Sequence, residues 1–327
     1  MGDAAAAAAL LQRSLEIDPN GSFAKVGAAI QAAQAGRINE ARKLYKDAVA
    51  ADPANPANLR ALALFYEEYG SQHDEAIIAS RKALALDPLN SQIANSLITP
   101  YAHLGDVDQA VYWLDRYNQT SLAPDKTHPL IQNIKNPEGQ LQRALDRLEN
   151  NQQRQGLDLW LLLKHDIATG QPEKSLARYQ VTYPQFFVED PVVTGQNFAN
   201  AKDAAWALFA CGFREQGLKL IDRAIRVIES MEVKRKPLSF RAQMYAVAEL
   251  EPEAIAAIND LFNGGGSVIS VLRRDEFNSL KDNPEFQAIA AREEAKLQAQ
   301  RDRIEAMEAA GELAPIPPLP EKQEAKP

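Results

Sequence analysis

One set of residues returns in phase along the first third of this chain. The stretch Ser22–Asn55 reads SFAKVGAAIQAAQAGRINEARKLYKDAVAADPAN, with Ala28, Ala29, Gly36, Ala41, Tyr45, Ala48 and Pro53 as its marks. The series comes back as Leu62, Ala63, Gly70, Ala76, Ser80, Ala83 and Pro88, and again as Leu97, Ile98, Tyr101, Gly105, Ala110 and Leu114. Pro53 and Pro88 stand 35 residues apart, close to the period of about 34 expected of a unit made from two helices and a turn. Several positions recurring together restrict the chain to tandem helix pairs, because each pair can bury its apolar stripe only against a neighbour.

Within each unit the first helix carries small or medium apolar residues every three or four positions, a helical period. Gly36, Gly70 and Gly105 fall where the first helix stops, and glycine tolerates the left-handed backbone of such a stop. Acidic residues follow (Glu40, Asp74, Glu75, Asp106, Asp108), which suits the start of a second helix. Ala41, Ala76 and Ala110 let the two helices approach, and Asp52–Pro53 and Asp87–Pro88 end the second one. The aspartates before proline recur with the repeat and are read as turn residues.

Two departures interrupt the pattern. The second unit has one extra residue in its turn, GSQHDEA against GRINEA, and the third carries Pro100 inside its first helix. That proline should kink the helix or remove one of its hydrogen bonds.

Three complete units are read at Ser22–Asn55, Pro56–Asn90 and Ser91–Leu122. Before them, aligning LEIDPN on Pro19 puts Ala7, Leu11 and Ser14 where the next unit has Ala41, Tyr45 and Ala48. That makes residues 3–17 a second helix without its first. Either the chain begins inside a longer array, or Ala4–Leu11 is a minimal cap.

The expected organisation is a regular array over 1–122 starting with a half repeat, then a connector and helix over 123–155. Degenerate helix pairs follow over 156–265, paired as Leu157–Thr169 with Glu173–Thr182, Ala199–Cys211 with Arg214–Met231, and Leu238–Leu250 with Pro252–Phe262. Short helices and a long helix from about Pro284 to Ala310 fill 266–311. The stretch 312–327, ELAPIPPLPEKQEAKP, favours polyproline II and reads as a mobile tail. The connector YPQFFVEDPVVTG (Tyr183–Gly195) should pack across the repeat ends.

The marks quoted above resemble the tetratricopeptide repeat family over about residues 4–122, and more weakly over 156–262. The resemblance implies an all-α, right-handed superhelical solenoid of antiparallel helix pairs, here with a long C-terminal helix. It also implies a concave face for a peptide or protein ligand, and no catalytic activity. The segment LKDNPEFQAIAAREEAKLQAQRDRIEAMEAAGEL resembles the end of repeat regions beside bacterial cyclase, kinase or winged-helix regulator domains. That likeness raises a second reading, a sensor or assembly region of a larger bacterial signalling or transcription-regulatory protein. The lysine and asparagine clamp by which one subgroup holds acidic C-terminal peptides falls here on Val26, Ile30 and Ala61, which cannot hold a carboxylate.

The inward-facing set is Arg60, Leu64, Glu67, Glu68, Asn95, Thr99 and His103, then Trp160, Lys164, Lys202 and Trp206. These are the candidate partner-binding residues, with the tryptophans as anchors or as packing between helices. Four histidines (His73, His103, His128, His165) show no metal-ligand spacing, so no metal, cofactor or catalytic set is expected. Cys211, the single cysteine, reads as a buried inert thiol. The basic cluster Lys234–Lys236 reads as a solvated loop.

A net charge of −8 argues against nucleic-acid partners. No apolar run approaches the ~20 residues of a membrane helix, and no basic stretch precedes the N-terminal alanines, so a cytoplasmic chain is expected. Ala290, Leu297 and Ile304, joined by Phe286 and Met307 and interrupted by Glu293 and Gln300, form a weak seam for self-association. The preferred reading of that helix has its first half capping the array and the rest projecting. PIPPLP (Pro315–Pro320) has the form of a polyproline ligand.

Overall fold

A computed structural model describes residues 13, 16–18, 20–121, 141–142, 144–147, 156–231, 238–263 and 272–319. Among them there are helices and turns and no strand. Six helices come first: α1 (Ser22–Gln34), α2 (Ile38–Ala51), α3 (Pro56–Gly70), α4 (His73–Leu86), α5 (Ser91–Leu104) and α6 (Val107–Thr120). Six more follow: α7 (Leu157–Ala168), α8 (Pro172–Thr182), α9 (Phe198–Ala210), α10 (Arg214–Ser230), α11 (Leu238–Val247) and α12 (Glu251–Asn263). A 3₁₀ segment at Asp275–Leu280 precedes the long helix α13 (Pro284–Ala309). The half repeat expected over 3–17 falls almost wholly outside the described residues, as do the connector at 122–140 and the 234–236 cluster. None of the described helices is long and apolar enough to cross a membrane.

The helices pack as consecutive pairs, α1 with α2 through α11 with α12, and each second helix also meets the next first helix wherever the units are continuous. First helices touch one another as well, α1 with α3, α3 with α5, α7 with α9 and α9 with α11. The chain is therefore all-α, built from stacked antiparallel helix pairs. It divides into two compact units, residues 1–131 with 295–327, and residues 132–294.

The turn inside each pair follows one rule. A single residue adopts the left-handed conformation: Gly36, Ser71, Gly105, Gly170, Gly212 and Glu249. Five residues later comes a small, buried residue: Ala41, Ala76, Ala110, Ser175, Gly217 and Ala254. It is in each case the fourth residue of the second helix, a buried position where a larger group would overpack. At Gly217 an added Cβ would fall 2.5 Å from the Phe209 ring, so an alanine there would require that ring to move.

In five of the six turns the amide after the left-handed residue donates to the carbonyl five residues back, as from Arg37 to Ala32 and from Asp106 to Tyr101. This is the Schellman closure that satisfies the carbonyls of a helix end. The second unit differs, because Gln72 N–H donates to the Tyr66 carbonyl six residues back. Its extra residue lengthens α3, so Gly70 is the last helical residue and Ser71 takes the left-handed position at φ 46°. The sequence expectation placed that role on Gly70, one residue too early.

Between pairs, Asn55 and Asn90 cap α3 and α5 by accepting from the amides of Ala57 and Gln92. Each also donates its side-chain amide to the aspartate before the proline, Asp52 at 3.1 Å and Asp87 at 2.8 Å. Asp52 and Asp87 are thus turn residues. Helix α5 runs through Pro100 as one element, and the missing N–H deprives the Ser96 carbonyl of its ordinary helical donor.

One core cluster of the first unit, built from α1 to α4, sets Tyr45 against Phe65 at 5.1 Å among buried alanines. In the second unit Leu159, Leu163, Tyr179, Leu208, Leu220 and Ile221 form one cluster. From the start of the 183–195 connector, Phe186 belongs to this cluster and Tyr183 packs against it, the two rings stacked 5.1 Å apart. Cys211 is half-buried rather than enclosed, and burial pushes its thiol pKa up.

Two expectations for the C-terminal region change. The later part of α13 does not project. Leu297 and Ile304 are buried, Gln300 spans the Ser71–Asp74 turn, and Arg301 donates to the Leu104 carbonyl at 2.8 Å. Leu297 and Ile304 of the seam read for self-association are therefore covered within the chain. The start of the tail is also held, since Leu313 is buried and the buried Arg81 donates to the Ala314 carbonyl at 2.8 Å.

Candidate functional site

Stacking first helix on first helix brings repeat-equivalent positions into rows. Val26, Arg60 and Asn95 make one row, and Ile30, Leu64 and Thr99 the next. Ile30 is 42% exposed and Leu64 41%, an apolar pair open to solvent beside Arg60, Asn95 and Thr99. Arg60 and Asn95 are half-buried and Arg60 Nε donates to the Gln92 carbonyl at 3.3 Å. Thr99 is half-buried and Glu68 exposed.

Glu67 and His103 from the candidate set meet there, and a third residue joins them. His103 Nδ1–H donates to one oxygen of Glu67 at 2.8 Å, and His73 Nδ1–H to the other at 2.9 Å. The imidazoles lie edge to face, 4.9 Å between centroids. Burial works to raise the Glu67 pKa, yet the hydrogen bonds and charges of the two histidines hold it down at about 2. His73 is wholly enclosed, and its Nε2 has no hydrogen-bond partner among the described residues.

Sequence spacing did not pair these histidines. The signal was present in the two departures from the repeat. The extra turn residue shifts His73 to the first position of α4, the place of Ile38 and Val107 in the neighbouring units. His103 lies one turn beyond Pro100.

The candidates of the second unit are placed differently. Lys164 Nζ pairs with Asp275 at 2.6 Å and lies 4.7 Å above the Trp160 ring, which also carries Arg274 at 5.3 Å. Lys202 is buried, with Nζ 2.8 Å from Glu276 and 3.2 Å from the Gln243 side-chain oxygen. Asp203 Oδ1 is also 2.8 Å from that ammonium, outside hydrogen-bonding geometry. Burial opposes ionisation of Glu276, but Lys202 and Arg274 bring its pKa down to about 2, whereas burial leaves Asp203 raised. Trp206 is half-buried against the core.

The chain's own segment Arg274–Phe277 therefore occupies the side chains expected to receive a partner. Lys202 in particular is not accessible to one. A cavity of about 310 Å³ lies elsewhere in this unit, lined by Phe186, Phe187, Pro191, Leu208, Glu215 and Lys219, and it contains none of the candidates.

No family model matches the chain, and no curated protein matches it. Among solved structures it is similar to the MamA protein, at 15% identity over 64% of this chain and 92% of that one, with a TM-score of 0.28. A second is pilF of Pseudomonas aeruginosa, at 16% identity over 82% and 96%, with a TM-score of 0.27. A third is Naa15/Naa10 bound to HypK-THB, at 17% identity over 84% of this chain and 42% of that one, with a TM-score of 0.30. At TM-scores of this size the fold assignment rests on the helix pairing described above.

Proposed function

We propose that the chain is a non-catalytic interaction scaffold that receives a peptide or protein segment on the concave face of a tetratricopeptide-like stack. The observation that carries this reading is the exposed pair Ile30 and Leu64, at equivalent positions on touching first helices. A stacking rule that needs only small residues at fixed places leaves such surface positions free to choose a ligand. Leu64 supplies apolar area, and Arg60, Glu68, Asn95 and Thr99 around it supply polar contacts that fix a backbone in register. In the second unit Trp160, Lys164 and Lys202 are engaged by the chain itself, so the proposed face is confined to α1, α3 and α5.

The test places a photo-crosslinking amino acid at position 64, and separately at Leu86, an exposed residue of the second helix α4. Crosslinks in cells of the source organism should form at position 64 and disappear when Arg60 and Asn95 become alanine. Capture at position 86 with none at position 64 would put the binding surface elsewhere.

A further inference from the structure

We propose that Glu67, His73 and His103 form a site for one divalent transition-metal ion of the zinc class, joining α3, α4 and α5. One ligand atom from each residue lies within 4.8 Å of the other two. Both Nδ1 atoms already stand 2.8–2.9 Å from the Glu67 oxygens. Bonds of 2.0–2.2 Å in a tetrahedral site would separate neighbouring ligand atoms by roughly 3.3 Å, and in an octahedral one by roughly 3.0 Å. Both nitrogens therefore lie close to the spacing a metal site needs from the Glu67 carboxylate, within a set whose ligand atoms are no more than 4.8 Å apart.

The chemistry of the set is selective. Two imidazoles and one carboxylate suit zinc, cobalt or nickel, whereas magnesium and calcium prefer oxygen ligands throughout. The same donor types hold open zinc sites that leave a position for water. Water would enter where the Glu67 and His103 side chains reach the surface, at 17% and 21% exposure.

The two histidines hold Glu67 ionised, but the repeat itself does not require the cluster. The neighbouring units fill the Glu67 position with Ala33 and Ala102, and the His73 position with Ile38 and Val107. A carboxylate and an imidazole placed there lose hydration that alanine and isoleucine never had, and His73 Nε2 is left without a partner. The longer turn at Ser71 is what brings His73 to Glu67, and it holds a non-glycine residue in the left-handed region. Two costly departures converge on one trio, which is the pattern of a site rather than of packing. The carboxyl ends of α3 and α5 meet there against one helix start, so the helix ends on balance favour a cation.

Binding requires each Nδ1 to give up its proton to the ring's Nε2, so that the Nδ1 lone pair faces the ion. No net proton is released from a neutral imidazole, and no redox change occurs. The experiment titrates the full chain, freed of metal, with cobalt(II), following its visible ligand-field bands, and then displaces cobalt with zinc. One equivalent should saturate. His73→Gln and His103→Gln should each weaken binding by more than about tenfold, the loss that even an outer-shell partner commonly causes. His165→Gln, in an exposed position of the other unit, should bind as the parent does.

An independent reading needs no variant. Imidazole nitrogen shifts of the unaltered protein should report Nδ1–H tautomers at His73 and His103 without metal, and Nε2–H tautomers with zinc. Absence of saturable binding, unweakened binding in a folded His103→Gln chain, or tautomers indifferent to zinc would each overturn the site. If a variant does not fold, the tautomer measurement decides alone.

Discussion

The ammonium of Lys202 stands 2.8 Å from the carboxylate of Glu276, and neither group reaches solvent. The pair ties α9 to the segment before α13, 74 residues along the chain. Replacing Lys202 by methionine leaves Glu276 with Arg274 as its remaining cationic partner and should destabilise the second unit by roughly 3 kcal/mol. The double change Lys202→Met with Glu276→Gln should recover part of that loss. Denaturant melts read both, and a single variant within about 0.5 kcal/mol of the parent, the scatter of ordinary surface changes, would mean the pair is not a strut.

The same carboxylate sets a pH dependence. In the folded chain its pKa is near 2 against an ordinary 4.5, with burial opposing and Lys202 and Arg274 prevailing. A depressed folded pKa stabilises above the unfolded value, so the contribution is full near neutrality. It is lost as pH falls from about 4.5 towards 2, roughly 3 kcal/mol over the whole window. The melting-temperature gap between the parent and Glu276→Gln should therefore narrow between pH 6 and pH 3. A gap that widens on acidification would reverse the sign.

Gly105 offers a clean measure of the turn rule. Its φ is 85°, and an added Cβ would meet nothing within 4 Å. Gly105→Ala should thus lose only the backbone penalty, about 1–2 kcal/mol, and Gly105→Asn less, because asparagine tolerates that region. If both variants melted with the parent, the left-handed residue would not be what closes each pair.

Gln300 reads the irregular turn from both sides, donating to the Ser71 carbonyl at 3.0 Å and accepting from the Asp74 amide at 3.2 Å. Gln300→Ala should cost about 1–2 kcal/mol and speed hydrogen exchange at the Asp74 amide above all. Exchange unchanged at Asp74 would show that the first helical turn of α4 holds itself.

What could be read in advance follows from which contacts repeat. Ala41, Ala76 and Ala110 announced the pairs because the same contact recurs every unit, and the later pairs were placed to within a few residues. Ser175 and Gly217 fill the same position and were passed over, since neither is alanine. The trio of Glu67, His73 and His103 left only an indirect trace, the two departures from the repeat, because it depends on a one-residue shift in one turn and on contact between units. Lys202 was assigned to a groove because nothing local to α9 reveals that Glu276 will arrive against it. Gln300 and Glu293 looked like interruptions of a seam, and Gln300 proves to be a contact.

The contacts of Gln300, Arg301 and Arg303 with residues 71–104 carry sequence separations near 200 to 230. An ordinary helical array can fold as it is made, each unit settling on the one before. Here residues 295–319 are synthesised only after the whole of 132–294 has emerged. A nascent chain must hold α3 to α5 without their final cover for the time it takes to translate that intervening stretch, roughly ten to thirty seconds at common elongation rates. During that interval the faces that Leu297, Ile304 and Leu313 will bury stay open to solvent, so the core of the first unit is completed only when α13 arrives.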